Sequence, residues 1–264
     1  MHPFVNTAIK ATRSAANIIT RAFVRPDLIR VSAKGHRDFV TNTDKAAEQT
    51  IIYILQTAYP THSILAEESG ASSKQDDYQW IIDPIDGTLN FMHGFPHFSI
   101  SIALKYKNRL EHGVIYDPVR DDLFVASRGA GAQKNNHRIR VGQHTHLPDC
   151  LIGTGFPAKA MQYHENYHAV LQALSKECAV RRTGSAALDL AYVAAGHLDG
   201  FWELKLAPWD MAAGILMIKE AGGLVCDIKG EENYLKNGSI VCGNAKITKQ
   251  LLKIIQPCFK NSNL

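Results

Sequence analysis

Two aspartates three residues apart, Asp83 and Asp86, stand in the stretch Trp80 to Asn90, which reads WIIDPIDGTLN. Carboxylates on so tight a turn repel each other unless a cation sits between them, and a hard divalent ion such as magnesium suits an all-oxygen donor set. Gly87 and Thr88 follow, bringing flexible backbone and a hydroxyl to the start of a helical turn, where free amides favour an anion. Glu67 and Glu68 end an upstream apolar run, and Asp210 stands in Pro208-Trp209-Asp210 at the opening of a strongly apolar segment. Three separate segments therefore offer oxygen ligands. Asp-Pro and Asp-Gly are also ordinary turn formers, so a plain strand-turn reading of this stretch stands beside the metal reading.

The elements around these residues follow from periodicity and punctuation. Trp80 to Ile82 is a short apolar run suited to a buried strand that Pro84 stops, and Ser63 to Ala66 is a second strand. Phe4 to Phe23 places Phe4, Ala8, Ile9, Ala15, Ile19 and Phe23 near helical period, which predicts an amphipathic helix. Pro26 to Asp38 reads as a loop holding Lys34, Gly35, His36 and Arg37, either a solvated segment or a mobile cation near a phosphate. Asn42 and Thr43 offer caps for a second helix with Ala47, Ile51 and Leu55 on one face, ended by Pro60; Asp44 in its first turn favours the helix dipole. A short helix runs to about His93. Ser99 to Leu104, Glu111 to Tyr116 and Leu123 to Ala126 predict an antiparallel meander.

The second half alternates differently. Strands at Leu151 to Thr154, Val180 to Arg182 and Asp199 to Leu204 are separated by helices at Tyr163 to Glu177 and Ala186 to Ala195, an α/β layer with crossover helices. A helix from Asp210 to Glu220 stops at Gly222-Gly223, short strands follow near Leu224 to Asp227 and Ser239 to Cys242, and Asn244 caps a terminal helix.

Composition bounds the function. With 264 residues, 45% of them hydrophobic, the chain can bury a full core, and a net charge of +4 permits an anionic ligand without demanding one. The five cysteines are scattered singly, with no Cys-x-x-Cys pair, which argues against a zinc site or disulfide framework and fits a reducing cytoplasm. Lys10, Arg13 and Arg21 interrupt the amino-terminal segment, so no signal peptide or membrane segment is expected. Gly129-Ala130-Gly131 lacks the spacing of a phosphate loop. His144 and His146 are weak as a metal pair, and His93 and His97 read as packing or surface residues more readily than as phosphate contacts.

WIIDPIDGTLNF, the upstream Glu67-Glu68-Ser69 and the downstream PWDMAAGILMIKEAGG together resemble the signature elements of the inositol monophosphatase family, lithium-sensitive, magnesium-dependent phosphatases. RRTGSAALDLAYVAAG at Arg181 to Gly196 and KGHRDFVTNTDKAAE at Lys34 to Glu48 resemble its bacterial SuhB-like branch, and the likeness covers nearly the whole chain. The resemblance implies an α/β, layered αβαβα sandwich of the inositol monophosphatase and fructose bisphosphatase type. One domain over residues 1–264 would have an amino-terminal half to about 145 carrying most metal ligands and a carboxy-terminal half carrying Asp210 and substrate contacts, usually in a homodimer.

By matching positions, the resemblance implies that Glu67, Asp83 and the carbonyl of Ile85 hold one magnesium and Asp83, Asp86 and Asp210 a second, with Glu67 helping a weaker third. Thr88, supported by Asp44, would orient the attacking water, and Asp44 is thereby drawn from helix dipole to catalysis. Glu203 and the Gly184-Ser185-Ala186 turn would bind substrate hydroxyls with Asp86, while the amides of Gly87 and Thr88 would receive phosphate oxygens. Leu89 stands where many relatives carry a second threonine, which leaves this scheme intact. The substrate implied is myo-inositol monophosphate or a similar polyol or sugar phosphate. The SuhB-like branch also implies an alternative, an accessory factor that joins Nus factors and RNA polymerase in rRNA antitermination and ribosome biogenesis. Arg181 and Arg182 would then contribute to a partner or RNA surface, or be structural.

Overall fold

Trp80 and Ile82 face one side of the central strand and Ile81 the other, and all three are buried, so this strand is covered on both faces. The computed structural model describes residues 2–35, 38–74, 76–156 and 158–260. The first half runs α1 (Pro3–Phe23), β1 (Val31–Gly35), β2 (Asp38–Thr41), α2 (Asn42–Ala58), β3 (Ser63–Ala66), β4 (Gly70–Ala71), β5 (Tyr78–Asp86), α3 (Thr88–Met92), β6 (Ser99–Tyr106), β7 (Arg109–Asp117), β8 (Asp122–Ser127), β9 (Gly131–Lys134) and β10 (His137–Arg138). The second half runs β11 (Leu151–Thr154), α4 (His164–Leu174), β12 (Ala179–Arg181), α5 (Ala186–Ala194), β13 (Gly200–Glu203), α6 (Pro208–Glu220), β14 (Leu224–Cys226), α7 (Tyr234–Asn237), β15 (Ile240–Gly243) and α8 (Ala245–Cys258).

These elements form five layers. One face of an eight-stranded sheet, ordered β10-β9-β8-β7-β6-β5-β3-β4, carries Trp80, Ile82, Ile102 and Leu104 against α1 and α2. Its other face carries Ile81, Ala103 and Ile115 against α5 and α6, which also cover Phe201 and Cys242 of a five-stranded sheet ordered β12-β11-β13-β15-β14. On the far side of that sheet Trp202 and Val241 pack against α4 and α8. The period of two in each strand thus feeds two cores at once. The result is the αβαβα sandwich expected, with the antiparallel meander β6-β7-β8 and the parallel pairs β11-β12 and β11-β13 in place.

Two features of this layout aim carboxylates at one point. β3 and β5 are parallel neighbours with Ala66 opposite Ile82, so both deliver acid at their carboxy-terminal ends, and the Glu67 amide donates to the Ile82 carbonyl at 3.1 Å. α6 lies close on β7: a Cβ at Gly113 would stand 3.0 Å from the Ala213 carbonyl oxygen, so glycine there lets the helix backbone approach and brings its first turn over the end of β5.

Several local expectations are revised. Pairing does not stop at Pro84; Asp83 faces Ser101 and Asp86 faces Ser99, so one extra residue bulges out and the strand resumes. The N-cap of α2 is Thr41, whose hydroxyl accepts from the amides of Thr43 and Asp44, while the Asn42 side chain accepts from Arg30 and ties down the preceding segment. Residues 31–35 pair with β2 where a loop was expected, a strand concealed by its exposure, since an unburied strand needs no apolar alternation. His36, Arg37 and the side chain of Lys34 lie outside the described residues. No helix among the described residues is long and apolar enough to cross a membrane.

Candidate metal centre and substrate pocket

Asp83, buried at the end of β5, accepts from the Ile85 amide at 3.0 Å. The bulge then turns Asp86 toward the start of α5, where its Oδ2 accepts from the Ser185 hydroxyl and from the Ala187 amide at 2.8 Å. Asp210 occupies the first turn of α6 and accepts from the Ala207 amide at 2.7 Å. One oxygen from each of these three aspartates lies within 4.8 Å of the others. Glu67 shares a hydrogen bond with Asp83 from the end of β3.

Burial pushes the Asp83 carboxyl well above the usual carboxylate range, and the negative charges of Glu67, Asp86 and Asp210 push it further. Burial likewise raises Asp86 to about 6, against the pull of its hydrogen bonds to Ser185 and α5. Neither aspartate makes a salt bridge to a lysine or arginine among the described residues. Carboxylates crowded in this way, Asp83 and Asp86 buried and Asp210 and Glu67 partly so, fit a hard divalent cation, which would offset both the repulsion and the desolvation.

Beside this cluster the Thr88 hydroxyl lies 3.0 Å from both the Asp44 carboxylate and the Ile85 carbonyl. Asp44 is held from its other oxygen by the Thr41 amide at 2.9 Å and the Thr41 hydroxyl. It therefore closes the capping box of α2 and grips Thr88 as well, so the dipole reading and the site reading describe the same side chain. Thr88 follows Gly87, whose φ of 98° is left-handed and whose missing side chain leaves room for the carbonyls of His97 and Gly184, 3.1 and 3.2 Å from where a Cβ would stand.

A cavity of about 200 Å³ opens next to the aspartates, lined by Asp86, Gly184, Ser185, Ala186, Asp189, Glu203, Asp210 and Arg182 among others. Glu203 is buried at the end of β13, its carboxylate filling the space a side chain at Gly155 would take. Burial raises its pKa well above the ordinary value, and Asp210, Asp189 and Asp86 add to this, with Arg182 opposing them. Asp86 and Asp210 thus join Gly184, Ser185, Ala186 and Glu203 around this cavity, Asp83 adjoins them through the aspartate cluster, and Thr88 is hydrogen-bonded to Asp44 and the Ile85 carbonyl beside it.

The arginine pair is split. Both are exposed, but Arg182 lies at the cavity, whereas Arg181 stands on β12, the edge of its sheet, with its guanidinium on the neighbouring Val180 carbonyl at 3.1 Å. His97 is a packing residue that offers its carbonyl to Asn90 at 2.7 Å. His144 contacts Asp199 at 2.8 Å.

Three polar residues that stand within the quoted stretches but were given no role also serve this region. Glu48, buried one turn after Asp44 on α2, accepts from the amides of Glu68 and Ser69 at 2.8 and 2.9 Å and so fixes the turn that carries Glu67. Asp189, an acid inside an otherwise apolar helix, accepts from Thr183 at 2.8 Å beside the cavity. Asn90 donates to the carbonyls of His97 and Thr183, at 2.7 and 3.0 Å, and joins α3 to the turn before α5. Glu48 was signalled by its four-residue spacing from Asp44 and Asp189 by the lone charge in AALDL, while nothing in the sequence marked Asn90.

A profile of the inositol monophosphatase family matches residues 1–259. The chain is 51% identical over 254 residues to the Nus factor SuhB of Escherichia coli strain K12, covering 96% of this chain and 95% of that protein. Among solved structures, the extragenic suppressor protein suhB from Bartonella henselae superposes with a TM-score of 0.93 at 41% identity, covering 98% and 99% of the two chains. An inositol monophosphatase from Anabaena superposes with a TM-score of 0.86 at 36% identity, covering 96% and 95%.

Proposed function

The chain belongs to the inositol monophosphatase family, and from that premise we propose that it hydrolyses a polyol or sugar monophosphate, myo-inositol monophosphate first among them, to the free alcohol and phosphate with magnesium as cofactor. The observation that carries this reading is the convergence of Asp83, Asp86 and Asp210 within 4.8 Å, with Glu67 bonded to Asp83. Glu67, Asp83 and the Ile85 carbonyl would hold one ion, Asp83, Asp86 and Asp210 a second, and Glu67 would assist a third. Bound there, magnesium would supply positive charge for the phosphoryl oxygens and the leaving oxygen and ease deprotonation of water.

The remaining work falls to the chain itself. With its proton given to Asp44, the Thr88 hydroxyl turns a lone pair toward the pocket and accepts from a water, which fixes that water in line with the phosphorus. Water attacks directly, its oxygen bonding to phosphorus as it releases a proton, while the bond to the alcohol oxygen breaks and that oxygen takes up a proton in its place, so no side chain becomes phosphorylated. The amides of Gly87 and Thr88 face the phosphate oxygens. Glu203 and Ser185 bind alcohol hydroxyls in a cavity of about 200 Å³, sized for a small polyol.

The test is phosphate release from myo-inositol 1-phosphate. The wild type turns over with magnesium and stops when it is chelated, and Asp83→Asn abolishes release; equal turnover by that variant overturns the reading. A homodimer belongs to the same proposal and is checked by light scattering.

A second reading is favoured by the name of the relatives, Nus factor SuhB, and by the exposed Arg181 on an edge strand. In it the same fold also docks on RNA polymerase and Nus factors in a bacterial cytoplasm. Capture of polymerase that survives Asp83→Asn and fails with Arg181→Ala supports this role; no capture by the wild type removes it.

A further inference from the structure

His164-Glu165-Asn166-Tyr167-His168 opens α4 on the outer layer, and it sets two histidines one helical turn apart on the same exposed face. Their rings lie 4.4 Å apart between centroids at 62°, and their Nε2 atoms converge to 3.3 Å. At that separation one ring N–H can donate to the other ring's nitrogen, in a direction set by the tautomers. The same separation is also the chord of a tetrahedral site: two nitrogens at about 2.05 Å from one ion and 3.3 Å from each other subtend about 107°.

We propose that His164 and His168 form a second metal site, for a borderline transition ion such as zinc, on the surface of α4. Imidazole nitrogen suits a borderline ion such as zinc, and magnesium, which prefers oxygen, does not compete for it. Among the described residues no third His, Cys, Asp or Glu ligand atom completes a cluster with these two, so the ion keeps two positions for water. The pattern matches the His-Glu-x-x-His of zinc peptidases, but an exposed helix with no third protein ligand and no cleft supports binding and not hydrolysis.

The site acts on the helix that carries it. A 3-10 turn over Ala158–Tyr163 runs directly into α4, and a zinc ion bridging positions 164 and 168 would staple the first turn of α4 to the next. Tyr167 lies between them on the buried face, where its hydroxyl accepts from the Leu204 amide at 2.8 Å, one residue beyond Glu203.

Equilibrium dialysis of the full chain against zinc sulfate in saturating magnesium tests the assignment. The double variant His164→Gln, His168→Gln should bind one zinc fewer per chain than the wild type, Glu165→Gln should bind as many, and all three should hydrolyse phosphate alike. In the wild type, zinc should also slow amide exchange at residues 166–170 at least tenfold, and X-ray absorption should report imidazole nitrogens around the metal. Equal zinc binding by the double variant, or zinc without imidazole nitrogen in its shell, overturns the proposal.

Discussion

Thr88 shows how much one hydroxyl can be asked to do. It has one proton and two acceptors at 3.0 Å, Asp44 and the Ile85 carbonyl, and only donation to Asp44 leaves both the carbonyl open to a cation and a lone pair open to water. Thr88→Ala should therefore lower kcat by ~10²–10³ with KM nearly unchanged, and Thr88→Ser should recover most of the loss, because a group that orients the attacking water acts on the transition state more than on binding. A KM effect of the same size as the kcat effect would assign Thr88 to substrate binding. At this scale the sequence was informative where acids sit in turns, as Asp83 and Asp86 do. For Glu48 and Asp189 it gave only a spacing and a lone charge, which do not say that Glu48 holds the turn after β3 or that Asp189 is bonded to Thr183 beside the cavity.

Elements place these residues, and Thr41 and Asp44 illustrate the economy involved, since the bonds that start α2 also hold Asp44 toward Thr88. A second element-level device joins α1 to β7. His2 caps α1 through Nδ1 and stacks on His112, 4.5 Å between centroids, while His112 contacts Ser127 on β8 at 2.9 Å. Burial pushes the His112 ring down to about 4, helped by the nearby His2 charge. In the unfolded chain the ring titrates at its ordinary value of 6.5, so between pH 6.5 and 4 the unfolded state binds more protons and stability falls as pH falls. His112→Gln should remove part of that fall: between pH 7 and 4.5 its Tm should drop less than that of the wild type by about 2–4 °C, on the order of 1 kcal/mol after allowance for solvent screening of a half-exposed ring. Parallel melting profiles would count against it. Strand and helix positions in the core were legible because burial on both faces writes itself as apolar runs, whereas the β1-β2 hairpin is exposed and the Pro84 bulge depends on what pairs with it.

The whole molecule turns three layers into one pocket. The eight-stranded sheet supplies Asp83 and Asp86, the five-stranded sheet supplies Glu203, and α6 between them supplies Asp210. Asn90 ties the two sides together through carbonyls at residues 97 and 183. None of this registration was readable from periodicity, because a hydrophobic pattern says which face of a strand is buried and not which strand it pairs with; the layer order came from family likeness. The most direct test of the central claim is anomalous scattering from crystals soaked in manganese, a spectroscopically visible stand-in for magnesium. The account predicts density in contact with the Asp83 carboxylate, shared with Glu67 on one side and with Asp86 and Asp210 on the other. Manganese bound elsewhere, with no peak at Asp83, would contradict it.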